Sequence, residues 1–272
     1  LIILGDIFSV PVGELFHQAV VPGLTLVGVY IVYILIVAYL KPEVAPIVKD
    51  ESGVSKFKQI VRALIAIFPP LLLVICVLGS IFAGIATPTE SSAFGCVGAI
   101  ILAMFYRTFS FSMMKEALAE SVKTTALVFA ILVGATAFSM VFSYTGGDEI
   151  VENFMTNLPG EKWGFIIFSM AVIFVLGFFI DFVEISYIVL PILVPIAAKL
   201  GINPVYLAIL VAMNLQTSFL TPPFGFSLFF LRSVAPAEIK TAAIYKGVVP
   251  YIIIQVAVLI FFCVFLMEIK PV

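Results

Sequence analysis

The chain is poor in the residues that most enzymes use for chemistry. His17 is its single histidine in 272 residues, and neither an HExxH nor a GxSxG string occurs. That argues against a zinc or serine-triad enzyme. Cysteine is nearly as scarce. Cys76, Cys96 and Cys263 are odd in number, scattered and set in apolar stretches, so they read as packing residues without disulfide or metal spacing. Charge is scarce too. Asp, Glu, Lys and Arg make up 11% of the chain, against about 25% in soluble domains. The net charge of −2 gives no reason to expect a nucleic-acid partner.

What is abundant is hydrophobicity, 63% of residues, with a mean hydropathy of +1.25. The fold class is therefore all-α, a polytopic membrane protein in a lipid bilayer. About 20 apolar residues cross a bilayer, and on that measure the spans run roughly 15–40, 60–83 and 91–106. A fourth reaches residue 143 after an amphipathic lead-in at 113–123, and a last one covers 242–267. Residues 41–58 and 144–162 read as polar loops. Between 163 and 198 two apolar arms flank the short connector Asp181–Glu184. This reads as a re-entrant hairpin with its tip at Gly177–Glu184; the other reading is two complete spans joined by a tight turn.

Charge placement orients the map. With residues 41–58 cytoplasmic, Lys41, Lys49, Lys56, Lys58, Arg62, Arg107, Lys115, Lys123, Arg232, Lys240 and Lys246 share one side. Only Lys162, Lys199 and Lys270 fall on the other. This satisfies the positive-inside rule.

One apolar stretch, roughly 205–231, is interrupted by NLQTSFLTPPFG, residues 214–225. Pro222 and Pro223 lack N–H groups, the first ring disfavours helix at Thr221, and Gly225 adds freedom beyond. The span should break at mid-membrane depth, leaving carbonyls beside Thr217, Ser218 and Thr221. Such a turn persists where it is buried in protein or faces a cavity, and secondary transporters build ion sites this way. The plainer reading is a proline kink whose hydroxyls bond back to their own helix.

Carboxylates in lipid are costly and mark functional sites by default. Asp181 and Glu184, three residues apart, would share a helix face. One could ligate a cation while the other stays protonated or meets polar partners; alternatively both cap helix ends. Glu90 lies in TPTESS, where Thr87, Pro88 and Thr89 resemble a helix start, and it reads as a structural anchor.

GIATPTESSAFG (84–95) and SFLTPPFGFSLFF (218–230) resemble signatures of the large membrane subunit of tripartite ATP-independent periplasmic (TRAP) transporters. GFFIDFVEISYIVLPILVP (177–195) resembles the second re-entrant hairpin of that family. VGELFHQAVVPGL (12–24) resembles the segment joining its two halves, and the sequence from Phe229 to Gln255 is similar to the mannitol/chloroaromatic-type branch. The resemblance implies an elevator fold of the ion-transporter superfamily, built from inverted repeats that each hold a hairpin and a broken helix. It implies import of an organic acid or related solute, coupled to sodium and with no cofactor besides that ion. The implied partners are a small membrane subunit and a periplasmic substrate-binding protein, and the implied location is the cytoplasmic membrane of a bacterium or archaeon. LIILGD at the start resembles the tail of the first repeat's broken helix. The chain thus reads as a C-terminal portion lacking the first hairpin, which should not transport alone.

Carried onto matching positions, the resemblance names Gly177, Ser218, Thr221 and Phe224 as sodium ligands, with Asp181 as a nearby charge. Gly177 and Phe224 would offer backbone carbonyls, and Ser218 stands where the family commonly has glycine. Asn214, Gln216 and Glu184 are candidates for facing the solute, Asn214 and Gln216 also for plain packing. Pro222, Pro223 and Gly225, with Thr87–Glu90, are structural motif residues. The implied division is 1–14 as the tail of the first repeat, 15–143 mainly scaffold, 144–162 a connecting loop that suits flexibility, 163–233 the transport block and 234–272 the final span. Two readings compete with a TRAP permease: a stand-alone sodium symporter of the same superfamily, and a non-transporting scaffold subunit, which would need no broken helix.

Overall fold

In a computed structural model the protein is described at residues 1–43, 56–222, 225–236 and 239–269. Every regular element among them is helical. Six helices are long and apolar enough to cross a membrane, covering 12–40, 57–82, 88–105, 111–144, 182–199 and 241–265. The chain is a multi-pass membrane protein. Most of the 41–58 loop, together with Pro223, Phe224 and Lys270, lies outside the described residues.

The helices fall into two compact units, Leu1–Ile31 with Thr125–Val272, and Val32–Thr124. In the smaller unit, α3 (Lys56–Phe82) packs on α4 (Pro88–Phe105). Their approach is close: a Cβ added to Gly98 would overlap Leu73. The Ser80 and Ser91 hydroxyls share a 2.8 Å hydrogen bond across the same interface. The start of α4 is fixed by a capping box. The Thr87 hydroxyl accepts from the Glu90 N–H at 3.3 Å, the Glu90 carboxylate accepts from the Thr87 N–H at 2.8 Å, and Pro88 occupies the first turn. These groups satisfy donors that the helix leaves open at its N-terminus.

The larger unit holds nearly all of the core. Short α1 (Ile2–Ile7) leads into α2 (Val12–Leu40), which passes through Pro22 without ending. After α5 (Phe111–Tyr144) and the left-handed Gly146 comes α6 (Gly147–Thr156). The sequence reads as a polar loop here, and the structure replaces that loop with an amphipathic helix. Met155 is buried, Phe154 stacks edge-on against Phe168 with centroids 5.2 Å apart, and Glu152 pairs with Lys199 at 2.5 Å. Three carboxylates in ten residues, Asp148, Glu149 and Glu152, conceal the apolar face of such a short helix from a hydropathy scan.

Next come the two arms. α7 is Lys162–Leu176. The return arm is continuous, from α8 (Phe182–Glu184) through a π-helical turn (Ile185–Val189) to α9 (Leu190–Lys199). The π turn has a local cause. Pro191 has no N–H for the carbonyl of Tyr187, and the Leu190 N–H donates to the Ile185 carbonyl, five residues back. Lys162 at the head of α7 donates to the Gly201 carbonyl just past α9, so the two arms run antiparallel and return to the same end. At about 1.5 Å per residue, the 15 residues of α7 reach about 22 Å, short of the ~30 Å hydrocarbon core. α10 (Pro204–Leu220) starts with Asn203 accepting from the Val205 N–H at 2.9 Å and with Pro204 in its first turn. α11 (Phe226–Val234) and α12 (Thr241–Ile269) complete the chain. α10 packs against α7, α9, α11, α12 and α1.

Candidate functional site where the hairpin tip meets the break

The helix stops where the prolines predict. Leu220 is the last residue of α10, and Thr221 is extended at φ −93°, ψ 128°, the conformation a following proline imposes. Helix resumes only at Phe226, after Gly225 at φ +31°. A Cβ at Gly225 would lie 2.9 Å from the Phe219 carbonyl oxygen and 3.1 Å from that of Thr221. Backbone carbonyls therefore converge on this glycine, in a conformation other residues rarely adopt.

Across from the break stands the hairpin tip. Gly177 ends α7, and a Cβ built on it would overlap the Ser218 side chain, 2.7 Å from the Ser218 Cβ. Glycine here is a requirement of close approach. Ser218 is fully buried and Thr217 nearly so. The hydroxyls follow the plainer bonding pattern: Ser218 donates to Leu215 O at 2.9 Å, Thr217 to Met213 O at 2.8 Å, and Thr221 to Thr217 O at 2.9 Å. Each thereby spends its hydrogen on the helix and keeps oxygen lone pairs. Such an oxygen set, hydroxyls with neighbouring carbonyls, suits a hard cation.

The tip's carboxylates are bonded into the turn. Asp181 caps α8, its Oδ1 accepting from the Phe182 N–H at 2.7 Å, while Glu184 Oε2 accepts from the Asp181 N–H at 3.1 Å. This capping box is the alternative role for both residues. The polar amides of α10 diverge. Asn214 is buried and donates to Met170 O on α7 at 2.7 Å, so it joins two helices. Gln216 is exposed and lines a cavity of about 460 Å³ with Ser186, Phe182 and Phe219. Sequence reasoning did not single out Ser186, Phe182 or Phe219. Their signal lay in the pairing of the arms, which no local pattern carries. The structure thus joins Gly177, Ser218, Thr221 and Gly225 at one junction, sets Asp181 and Glu184 in the tip's own cap, and separates Asn214 from Gln216. Phe224 and Pro223 lie outside the described residues.

Residues 1–267 match the family "Tripartite ATP-independent periplasmic transporter, DctM component". The chain is 33% identical to the C4-dicarboxylate TRAP transporter large permease protein DctM of Pseudomonas aeruginosa, over 92% of this chain and 57% of that protein. It is 26% identical to the sialic acid TRAP transporter large permease protein SiaM of Vibrio cholerae, over 97% of this chain and 60% of that protein. It is 28% identical to the ectoine TRAP transporter large permease protein TeaC of Halomonas elongata, over 96% and 60%. The chain spans about 57–60% of the length of these curated relatives, which are permeases and not enzymes. With nearly its whole length matched, and a glycine-tipped hairpin closing on a helix broken at proline, the chain belongs to the DctM family of TRAP transporter large permease subunits.

Proposed function

We propose that the protein serves as the membrane permease of a sodium-coupled importer. It would receive a small organic acid or related solute from a periplasmic substrate-binding protein and work beside a small membrane subunit in the cytoplasmic membrane. The observation that carries this reading is the junction of Gly177 with Ser218 beside the extended Thr221. A non-transporting scaffold has no use for a gap in a buried helix, since free backbone groups in lipid are expensive. The Ser218 and Thr221 hydroxyls and the carbonyls around Gly177 and Phe224 would hold the sodium ion, with Asp181 as the nearby charge. The ion's role is to supply the downhill gradient, and its binding would fasten tip to break. The hairpin and broken helix, residues 163–231, would then move together as the elevator's mobile block, while the spans at 15–40 and 60–83 stay largely with the scaffold. The relatives named above transport C4-dicarboxylates, sialic acid and ectoine according to their names, and the sequence match along nearly the whole chain supports the same type of solute handover here.

The test is uptake by the full-length permease, reconstituted in proteoliposomes with its small subunit and binding protein, under an imposed sodium gradient. Uptake should follow the gradient, and Thr221→Ala should weaken the sodium response more than it weakens expression or thermal stability. Uptake that ignores sodium in the wild type, or an unchanged sodium response in Thr221→Ala, would overturn the ion assignment.

A further inference from the structure

Two spans, α2 and α12, meet through polar side chains that the transport reading does not use. Tyr30 of α2 and Tyr251 of α12 pack edge-to-face, with ring centroids 5.2 Å apart. Gln255 stands one turn further along α12 and is 5% exposed. Helical side chains lean toward the N-terminus of their helix, so Gln255 leans back toward Tyr251 and the Tyr30 ring. It comes near enough to interact with the Tyr30 hydroxyl. Yet Tyr30 Oη and Gln255 Oε1 are both buried without a hydrogen-bond partner of normal geometry among the described residues. Side chains of this chain already seal both atoms, so further polypeptide could cover the surface above them but not reach them. A phenolic O–H and an amide oxygen are a matched donor and acceptor, and polar groups inside a membrane are expensive to leave unpaired. The Tyr251 ring, inclined at 72° to that of Tyr30, restricts the swing of the Tyr30 ring. The missing bond therefore closes by a shift between the helices and not by a change of rotamer alone.

The place of α12 in the fold gives that shift a cause. α12 packs on both halves of the broken helix, α10 and α11, so it lies directly behind the break. In the transport reading the hairpin and broken helix move, while α2 stays largely with the scaffold. α12 is then the span that takes up the difference, and it slides past Tyr30 as it does so. We propose that Tyr30 and Gln255 form a membrane-buried latch, open in the arrangement described, that closes one Tyr30 O–H to Gln255 Oε1 hydrogen bond when α12 follows the broken helix to the other end of the transport cycle. The inference rests on the transport reading above. It adds to that reading two positioning residues that set the balance between the ends of the cycle without touching ion or solute. Tyr30→Phe removes the orphaned hydroxyl of the open end and the bond of the closed end together. Both changes move the balance toward the open end.

The experiment is a spin-label distance measurement on the full-length permease with its small subunit, in proteoliposomes and without its native cysteines. The labels sit on Leu24→Cys of α2 and Ile260→Cys of α12, both exposed positions. Binding of radiolabelled sodium is measured on the same preparation. The labelled parent should give two distance populations, one of them matching the arrangement described here. Tyr30→Phe and Gln255→Leu should each move the balance toward that population by about threefold to tenfold, the usual worth of an interhelical hydrogen bond in a membrane. The double variant should move it no further than the stronger single one, because both remove the same bond. An unchanged balance in both single variants, or effects that add in the double variant, overturns the latch. So does a single distance population in a parent that binds sodium; in each of these cases the transport reading stands. A parent that binds no sodium sinks the transport reading, and the latch with it.

Discussion

Two Pro-Pro pairs in this chain have opposite fates. Pro69-Pro70 sits inside α3, and the helix runs on from Lys56 to Phe82. At Pro222 the helix is already over, because Thr221 has gone extended. Proline chemistry is the same in both places, so the difference comes from the surroundings. Pro69-Pro70 is flanked by apolar runs that include several Ala and Leu, among the better helix formers, and Ile81 is the one buried residue among the described side chains of α3. α10 buries ten of its 17 residues and is gripped near its end by Gly177, while Gly225 supplies the backbone freedom to turn. A proline pair permits a break, and tertiary contacts decide whether it is taken.

Glycines give the sharpest way to break that comparison. Gly177→Ala should clash with Ser218, and overpacking of this kind typically costs about 1–3 kcal/mol. Because the strain falls on the proposed ion junction, sodium-driven uptake should drop by more than about tenfold. Gly79→Ala in α3 meets nothing within 4 Å and should gain slightly in stability, since glycine in a helix is worse than alanine by about 1 kcal/mol. Matched uptake and melting measurements on the two variants check this. If Gly177→Ala transports normally, the tip does not close on the break as described.

The prolines themselves come next. Pro222→Ala should let helix extend past Leu220 and reduce sodium affinity by about tenfold or more. Pro69→Ala should leave uptake within about twofold and raise thermal stability, since a proline in a helix interior is unfavourable by about 3 kcal/mol. Sodium titration of uptake separates the pair. Equal effects at both positions would show that local proline chemistry, and not the surroundings, governs the break.

Asn214→Leu removes the amide that joins α10 to α7. With this interhelical hydrogen bond lost, stability should fall by about 0.5–1.5 kcal/mol, while the relative preference among solutes stays unchanged. Denaturation midpoints and competition uptake measure the two consequences. A changed solute preference with full stability would move Asn214 from packing to recognition.

The smallest effect is expected at Glu152–Lys199. That ion pair is substantially exposed, with Lys199 at 60%, so a double-mutant cycle with Glu152→Gln and Lys199→Met should give a coupling below about 1 kcal/mol. The pair still indicates where α6 belongs. If it and Met155 keep α6 on the hairpin arms, a disulfide engineered between α6 and α9 should leave transport intact.

Hydropathy was enough to find five of the six long apolar helices, because buried or lipid-facing side chains must be apolar whatever their partners; the sixth, 182–199, reads from the sequence as a hairpin arm. Local stereochemistry was enough for the break at Thr221, the glycine requirement past it and the helix start at Thr87–Glu90, since proline, glycine and capping side chains act within a few residues. Other features depend on residues far apart in the chain and had no local signal. Lys162 reaches Gly201 to pair the arms, and Gly177 meets Ser218. Asn214 turns to Met170 while Gln216, two positions on, faces the cavity. The helical α6 also belongs here, because its apolar face has meaning only against Phe168 and the buried surface around Met155. The amino-acid pattern by itself determined a membrane-spanning helical chain with one broken helix, because those properties follow from transfer energies and backbone dihedrals. Which oxygens and which rings face each other was decided only by tertiary packing, because contact across some forty residues of chain depends on how whole helices fit together.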